Sequence, residues 1–236
     1  MNKLQVLPEE THSLQVLEPM ADTAALFEAG KKAQYDAFWD ATQDYGNRTE
    51  YRYAFMGTGW KDCFVPKYDI KPRNAECMFW NSTIPNIEEA FRNSGIAFDT
   101  SNCINGFRLF ANTSTEVIPQ LDLTSGGYWC EVVANSEVRV IRKIILNDKG
   151  DANTGAFFHG ANKLEEVRFE GVIPAYAINL QACANLSNES VQSIIDHLKD
   201  LTGATTQTLT FHKDVGARLT EAQKATITAK NWTLVY

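Results

Sequence analysis

Few of the residue types that carry catalysis are placed for it in this chain of 236 residues. None of the four histidines has a carboxylate or another histidine four residues away; they are His12, His159, His197 and His212. The sequence also contains no nucleophile elbow, phosphate-binding loop or dinucleotide fingerprint. We therefore expect a protein with no enzymatic activity and no cofactor. An intracellular enzyme whose site assembles only in space is the alternative.

Metal coordination is not indicated either. The spacing of the five cysteines fits neither a zinc site nor a thioredoxin-type motif, so each is interpreted as a small buried residue. They are Cys63, Cys77, Cys103, Cys130 and Cys183. Residues 147–153 are rich in oxygen ligands, but they lack the alternating ligands and the final glutamate of an EF-hand loop. A turn is the favoured interpretation there.

Charge and hydropathy argue against two classes of partner. The chain has 22 basic and 29 acidic residues, a formal charge of −7, whereas a nucleic-acid or anionic-membrane binder needs a basic surface. No apolar run approaches the ~20 residues that span a bilayer. Residues 1–45 hold eight acidic and three basic residues, which we interpret as a solvated face.

The main signal is a repeat of 23 residues. Three apolar-x-apolar segments begin at Leu121, Ile144 and Val167, so each begins 23 residues after the one before. Similar segments begin at Phe98, one step earlier, and at Tyr68 after a longer spacer. Because alternate side chains of a strand point to one side, stacked units of this kind would share a continuous core. An ordinary all-β domain with coincidental spacing is the alternative.

A second element recurs between these segments: an apolar residue followed two positions later by Asn or Gly. Asn and Gly tolerate turn conformations, so each unit is predicted to combine a buried apolar side chain, a turn and a short strand. The elements are Phe55-Met56-Gly57, Phe79-Trp80-Asn81, Phe91-Arg92-Asn93, Phe110-Ala111-Asn112, Val133-Ala134-Asn135 and Phe158-His159-Gly160.

These units resemble the irregular leucine-rich repeats of the BspA-like kind, which occur in gut bacteria and their phages. The segments closest to that family's Ala-Phe corner are residues 53–57 and 155–160, and the resemblance covers roughly residues 50–236. It implies an α/β repeat fold, an irregular leucine-rich-repeat solenoid over residues 51–236. Few units begin their strand with Ile-Pro, and Val133 replaces Phe, so the number of turns stays open.

Both ends of the array are predicted to be capped. Residues 1–20 are interpreted as a tail or docking segment, and residues 21–50 as a helical cap that could also join copies into a homo-oligomer. Residues 186–236 resemble the C-terminal module that accompanies such repeats, and their pattern predicts a βαβαβ-like cap. Ser187 is the expected N-cap of the first helix, Gly203 its C-cap, and Thr220 opens a capping box with Gln223.

In this register the middle residue of every strand points outward. Three carboxylates would then lie on successive strands, about 5 Å apart, and could bind a cation, a basic partner or sugar hydroxyls. A solvated face is the alternative. The candidate binding residues are Asp69, Asp99, Asp122, Ile145 and Arg168, continued by Asn179 and Thr210. Trp60, Trp80, Tyr128 and Trp129 would suit glycan stacking or core packing.

The resemblance implies a non-enzymatic binding or structural protein, a tail-associated or receptor-binding component of a phage or prophage virion. Its partners would be other virion proteins or a protein or glycan on the host surface. Residues 1–20 show no secretory signal pattern, so we expect synthesis in the cytoplasm and release by lysis, in the virion. The alternative is a bacterial cell-surface adhesin with leucine-rich repeats.

Overall fold

A computed structural model describes residues 49–57, 66–146 and 156–236. The predicted tail, nearly all of the predicted helical cap and the oxygen-rich loop lie outside these ranges, as do Trp60 and Cys63. The described residues form a mixed α/β structure with two small parallel sheets, and no closed barrel is among them. The coarse prediction of an α/β fold is therefore confirmed.

The described helices and strands are short. In chain order they are α1 (Ile87–Ser94), β1 (Val117–Ile118), β2 (Leu121–Leu123), β3 (Val140–Leu146), β4 (Glu166–Glu170), β5 (Ile178–Leu180), α2 (Asn188–His197), β6 (Gln207–Phe211), α3 (Lys213–Ala217), α4 (Glu221–Ala229) and β7 (Trp232–Val235). Among the described helices, none has the length and apolar character that a membrane crossing needs.

The first sheet confirms one predicted step of 23 residues and corrects the next. Strands β1, β2 and β4 all pair in parallel with β3, and Leu121 lies beside Ile144. Val167, however, pairs with Ile141, while Ile144 pairs with Phe169. Two residues of β3, Arg142 and Lys143, oppose Arg168 alone, and neither of the two is buried. This bulge shifts the register, so the predicted alignment of Val167 with Ile144 is wrong.

The turns that precede the strands hydrogen-bond one another in succession. The backbone N–H of Phe55 donates to Met78 O at 2.8 Å, and that of Phe79 donates to Leu109 O at 2.9 Å. The next two turns continue the pattern, since Phe110 N–H donates to Val132 O at 2.7 Å and Asn135 N–H donates to His159 O at 2.9 Å. Each turn therefore satisfies backbone groups of its neighbour.

Left-handed backbone recurs at two positions of these turns. The first is the predicted Asn or Gly, with φ between +50° and +89°, at Gly57, Asn81, Asn112, Asn135 and Gly160. The prediction that these residues occupy turns is confirmed. The second position was not predicted, because its residue types vary; it holds Tyr53, Cys77, Arg108 and Glu131, with φ between +53° and +58°.

The element predicted at Phe91-Arg92-Asn93 is wrong, because these residues lie inside α1. Asn86 caps that helix by accepting a hydrogen bond from Glu89 N–H at 3.0 Å, and Gly95 ends it with φ +64°. Phe91 and Ile87 are buried. The helix is therefore an insertion between two turns, and it lengthens the step there, since Asn74 pairs with Asn105.

One hydrophobic cluster runs through the described chain. Leu121, Ile144 and Val167 all belong to it, although their register differs from the predicted one. Within it the rings of Phe55, Phe79 and Phe110 stack, with centroids 5.2 Å apart in both pairs. Burying each ring stabilises the fold by about 1.5 to 3 kcal/mol, and each stacked pair adds about 1 kcal/mol.

The C-terminal region confirms most of its predicted elements. Strands β5, β6 and β7 form a parallel sheet in that order, Ser187 caps α2, and Thr220 forms the capping box of α4 with Gln223. The first helix, however, ends at His197 with Leu198 as its C-cap, so the C-cap predicted at Gly203 is wrong. Leu198 instead pairs with Ile173, which stops the helix earlier. The short helix α3 was not predicted.

The register of β3 generates a test with a matched control. Ile144 is 1 % exposed, whereas its neighbour Ile145 is half-buried between Asp122 and Glu170. Ile144→Lys should lower the free energy of unfolding by about 3 kcal/mol or more, because it buries a charge. Ile145→Lys should leave it within about 0.5 kcal/mol, measured by urea denaturation. Equal losses in the two variants would contradict this register.

Candidate functional site

The five predicted binding residues do not form one column. Asp122 lies beside Ile145, as predicted, but Ile145 pairs with Glu170, and Arg168 lies opposite the bulge of β3. Ile70 pairs with Phe98, so Asp69 and Asp99 are out of register as well. The predicted column of aligned side chains is therefore wrong, although binding by the individual residues stays a prediction. Farther along the chain, Asn179 and Thr210 are aligned as predicted.

The carboxylates of this surface accept backbone hydrogen bonds, and two of the three close turns. Asp99 Oδ1 accepts a hydrogen bond from Ser101 N–H at 2.9 Å, and Asp122 Oδ1 accepts one from Thr124 N–H at the same distance. Asp69 Oδ1 accepts from Ala97 N–H at 3.0 Å, and this hydrogen bond lowers the pKa of Asp69. Each carboxylate thus satisfies backbone where a strand or bridge ends, which gives the three acids a structural reason to be present.

Metal binding finds no support among the described residues, and two of the buried thiols are unsuited to thiol chemistry. No group of three or more His, Cys, Asp or Glu side chains in that part of the chain could hold a metal ion. Burial raises the pKa of the Cys103 thiol to about 11 and that of Cys183 to about 12. Both thiols are therefore protonated at neutral pH and are poor nucleophiles.

The strongest cluster of partly exposed interaction residues lies on the turns. We call it the aromatic–arginine patch; it consists of Trp80, Phe107, Arg108 and Tyr128. The Arg108 guanidinium lies 4.8 Å from the centre of the Phe107 ring and 5.7 Å from that of Trp80. The Phe107 and Tyr128 rings are 5.4 Å apart. These contacts join side chains from three successive turns into one surface.

Glu131 fixes the arginine of the patch. Arg108 Nε donates to Glu131 Oε2 at 2.6 Å, and this hydrogen bond raises the pKa of Arg108. The ion pair holds the guanidinium plane beside the rings of Phe107 and Trp80. Because the pair is partly solvated, its contribution to stability is small, about 0 to 1 kcal/mol, and its main effect is on orientation.

A second polar network adjoins the patch through the preceding turn. Glu76 accepts from Tyr53 Oη at 3.2 Å, from Arg52 Nη2 at 3.0 Å and, through its other oxygen, from Asn105 Nδ2 at 3.1 Å. Tyr53 and Arg52 are exposed. Aromatic and cationic side chains are therefore present on the surface of the turns from the patch back to the first described turn.

The aromatic residues singled out from the sequence divide between core and surface. Trp129 is completely buried, and its indole N–H donates to Gly126 O at 3.1 Å, so it is a core residue. Tyr128 is 43 % exposed and Trp80 is half-buried. The sequence alone did not single out Phe107 and Arg108. Their position one turn before Tyr128 becomes a signal only when the turn register is known.

Comparison with known proteins gives no match: no family model, no curated protein and no solved structure is significantly similar to this chain. The function therefore has to be argued from the geometry. Half-exposed aromatic rings held beside a fixed arginine can stack on the apolar face of a sugar or accept the side chains of a protein partner, since Trp, Tyr and Arg dominate binding energies at interfaces.

The turn-closing role of Asp122 is testable with a matched pair of variants. Asp122→Ala removes the acceptor for Thr124 N–H and should lower the free energy of unfolding by about 1 kcal/mol. Asp122→Asn keeps a side-chain oxygen at the same place and should lose less than half as much. Urea denaturation measures both values, and equal losses would mean that charge, not the turn, gives Asp122 its effect.

Burial of Cys183 predicts a pH dependence of stability. Since its pKa in the folded chain, about 12, exceeds the ordinary value of 9.0, its contribution is present below pH 9 and is lost as pH rises toward 12. Between pH 9 and 10.5 the stability of the wild type should therefore fall more steeply than that of Cys183→Ala, by up to about 1.4 kcal/mol per pH unit. Parallel urea-denaturation curves for the two would contradict the burial of this thiol.

Proposed function

We propose that this chain is a non-enzymatic binding protein, a tail-associated or receptor-binding component of a phage or prophage virion. Its described turns would belong to an irregular leucine-rich-repeat solenoid that presents the aromatic–arginine patch to a protein or glycan on the host. The virion assignment rests on the resemblance of the repeats. The binding assignment rests on the patch itself.

The hydrogen-bonded turns support the repeat part of this proposal. Parallel bridges connect Glu50 with Asn74, Asn74 with Asn105, and Asn105 with Tyr128, so four turns align their backbones at one position. The two parallel sheets extend the same direction of pairing toward the C-terminus. A stack of this kind is a rigid support, because each unit is fixed by its neighbours.

The composition of the patch supports the binding part. Rings that are only half-buried and a charged group already oriented by Glu131 lose little conformational entropy when a ligand covers them. Tyr128 and Phe107 offer ring faces, and Arg108 offers donors beside them. This combination is typical of the energetic centre of a binding surface.

Binding to bacterial envelope fractions tests this role directly. The purified chain should bind one such fraction, and Tyr128→Ala should bind at least ten times more weakly while keeping its melting temperature within about 3 °C. Tyr68→Ala is the control, because Tyr68 is a comparably exposed tyrosine, at 46 %, outside the patch. The same loss in both variants, or no binding to any fraction, would contradict the assignment.

The virion assignment has a separate test. Mass spectrometry of particles released from the source culture should find the chain at a fixed ratio to the major tail protein. Recovery of the chain only in the cell-wall fraction of unlysed cells would instead support the adhesin.

A further inference from the structure

A groove crosses the second sheet, away from the aromatic–arginine patch. We call it the C-terminal groove; its walls include Asn179, Gln181, Thr210, His212, Lys213 and Tyr236. It consists of two depressions, of about 410 Å³ and 500 Å³, that share Asn179 and Gln181. The pairing of β5 with β6 places Asn179 beside Thr210 on its floor.

Two side chains of the groove are held with a donor facing outward. Asn179 Oδ1 accepts a hydrogen bond from Gln181 N–H at 3.0 Å. The amide nitrogen, Nδ2, is therefore the end of this side chain that can donate to a ligand. His212 Nδ1 accepts from Asp214 N–H at 3.2 Å, so the ring proton of the neutral imidazole is on Nε2. The acceptor atoms of both side chains are thus engaged in hydrogen bonds within the protein, whereas Asn179 Nδ2 and His212 Nε2 can donate to a ligand.

Among the described side chains that line the groove, Lys213 is the one with a formal charge, whereas the chain as a whole is acidic. Within the described residues, no Asp or Glu lines either depression, although the chain as a whole carries −7. Lys213 contributes a cation, and the amides and hydroxyl contribute further donors. The carboxylate of Asp214 lies 3.5 Å from His212 Nδ1, on the opposite side of the ring from Nε2. The groove therefore favours a ligand rich in acceptors and negative charge.

The size and walls of the groove favour a saccharide. Each depression is within the 300–1,000 Å³ that small-molecule sites occupy, and together they can hold two or more sugar rings. Tyr236, 53 % exposed, provides a ring at one end on which a sugar can stack. Asn, Gln and Thr side chains supply hydrogen-bond donors and acceptors that sugar hydroxyls can use and that a large apolar ligand would leave without partners.

We propose that the C-terminal groove binds a carboxylated saccharide. Asn179 Nδ2, His212 Nε2 and the Lys213 ammonium donate to its carboxylate and hydroxyl oxygens, and Tyr236 stacks on one ring. The site is independent of the aromatic–arginine patch, so neither proposal depends on the other.

Four oligosaccharides and two variants test the site in the full chain. The probes are tetragalacturonate, tetrasialate and the two corresponding tetramers in which every carboxylate is reduced to an alcohol. Titration calorimetry should detect binding of at least one acidic tetramer, at least ten times tighter than its reduced form. Asn179→Asp should weaken that binding at least tenfold, because it keeps the acceptor for Gln181 N–H but replaces the outward donor with a carboxylate oxygen.

The control is Asn188→Asp, which makes the same change of charge outside the groove, at an asparagine that accepts from Arg218. It should leave the affinity within twofold. Three results would overturn the proposal: neither acidic tetramer binds at millimolar concentration, the reduced forms bind as well, or Asn188→Asp loses as much affinity as Asn179→Asp.

Discussion

Left-handed backbone at two positions in each of four successive turns is the constraint on which the described structure depends. At these positions the chain reverses so that N–H groups point along the stack, and those of Tyr53, Cys77 and Arg108, for example, donate to carbonyls of the next turn. An L-residue other than Gly, Asn or Asp adopts this conformation at a cost of about 1 to 2 kcal/mol. Tyr53, Cys77, Arg108 and Glu131 are nevertheless held there, because the alternative would leave buried backbone groups without partners.

This saturation of the backbone determines what the side chains do. Asp99, Asp122 and Asn179 close the turns in which the ladder stops, so their oxygens are engaged within the fold. Side chains directed away from the stack do not have to hydrogen-bond the backbone of the turns. The aromatic–arginine patch is made of such residues, and the C-terminal groove also uses the amide nitrogen of Asn179, whose oxygen is the atom engaged in the turn.

Ion pairs between neighbouring turns organise the surface. Arg108 pairs with Glu131, and Arg139 pairs with Glu165, at sequence separations of 23 and 26 residues. Partly exposed pairs of this kind stabilise a fold little, about 0 to 1 kcal/mol each. Their effect is to orient long side chains, and in the patch the oriented group is the guanidinium beside the rings of Phe107 and Trp80. An acidic chain can therefore present a fixed cation and a donor-lined groove.

Local signals in the sequence were sufficient for part of this structure. The N-cap at Ser187, the capping box at Thr220 and five of the six Asn or Gly turn positions were predicted correctly, because they depend on residues within four positions of one another; the sixth, Asn93, lies inside α1. The pairing of Leu121 with Ile144 followed from a strict period. The bulge at Arg142 and Lys143, the inserted helix α1 and the second left-handed position could not be predicted in this way. These three features depend on which backbone groups and apolar side chains the neighbouring turns present. The tertiary structure alone therefore determined the register, and the register determines which residues meet in the patch.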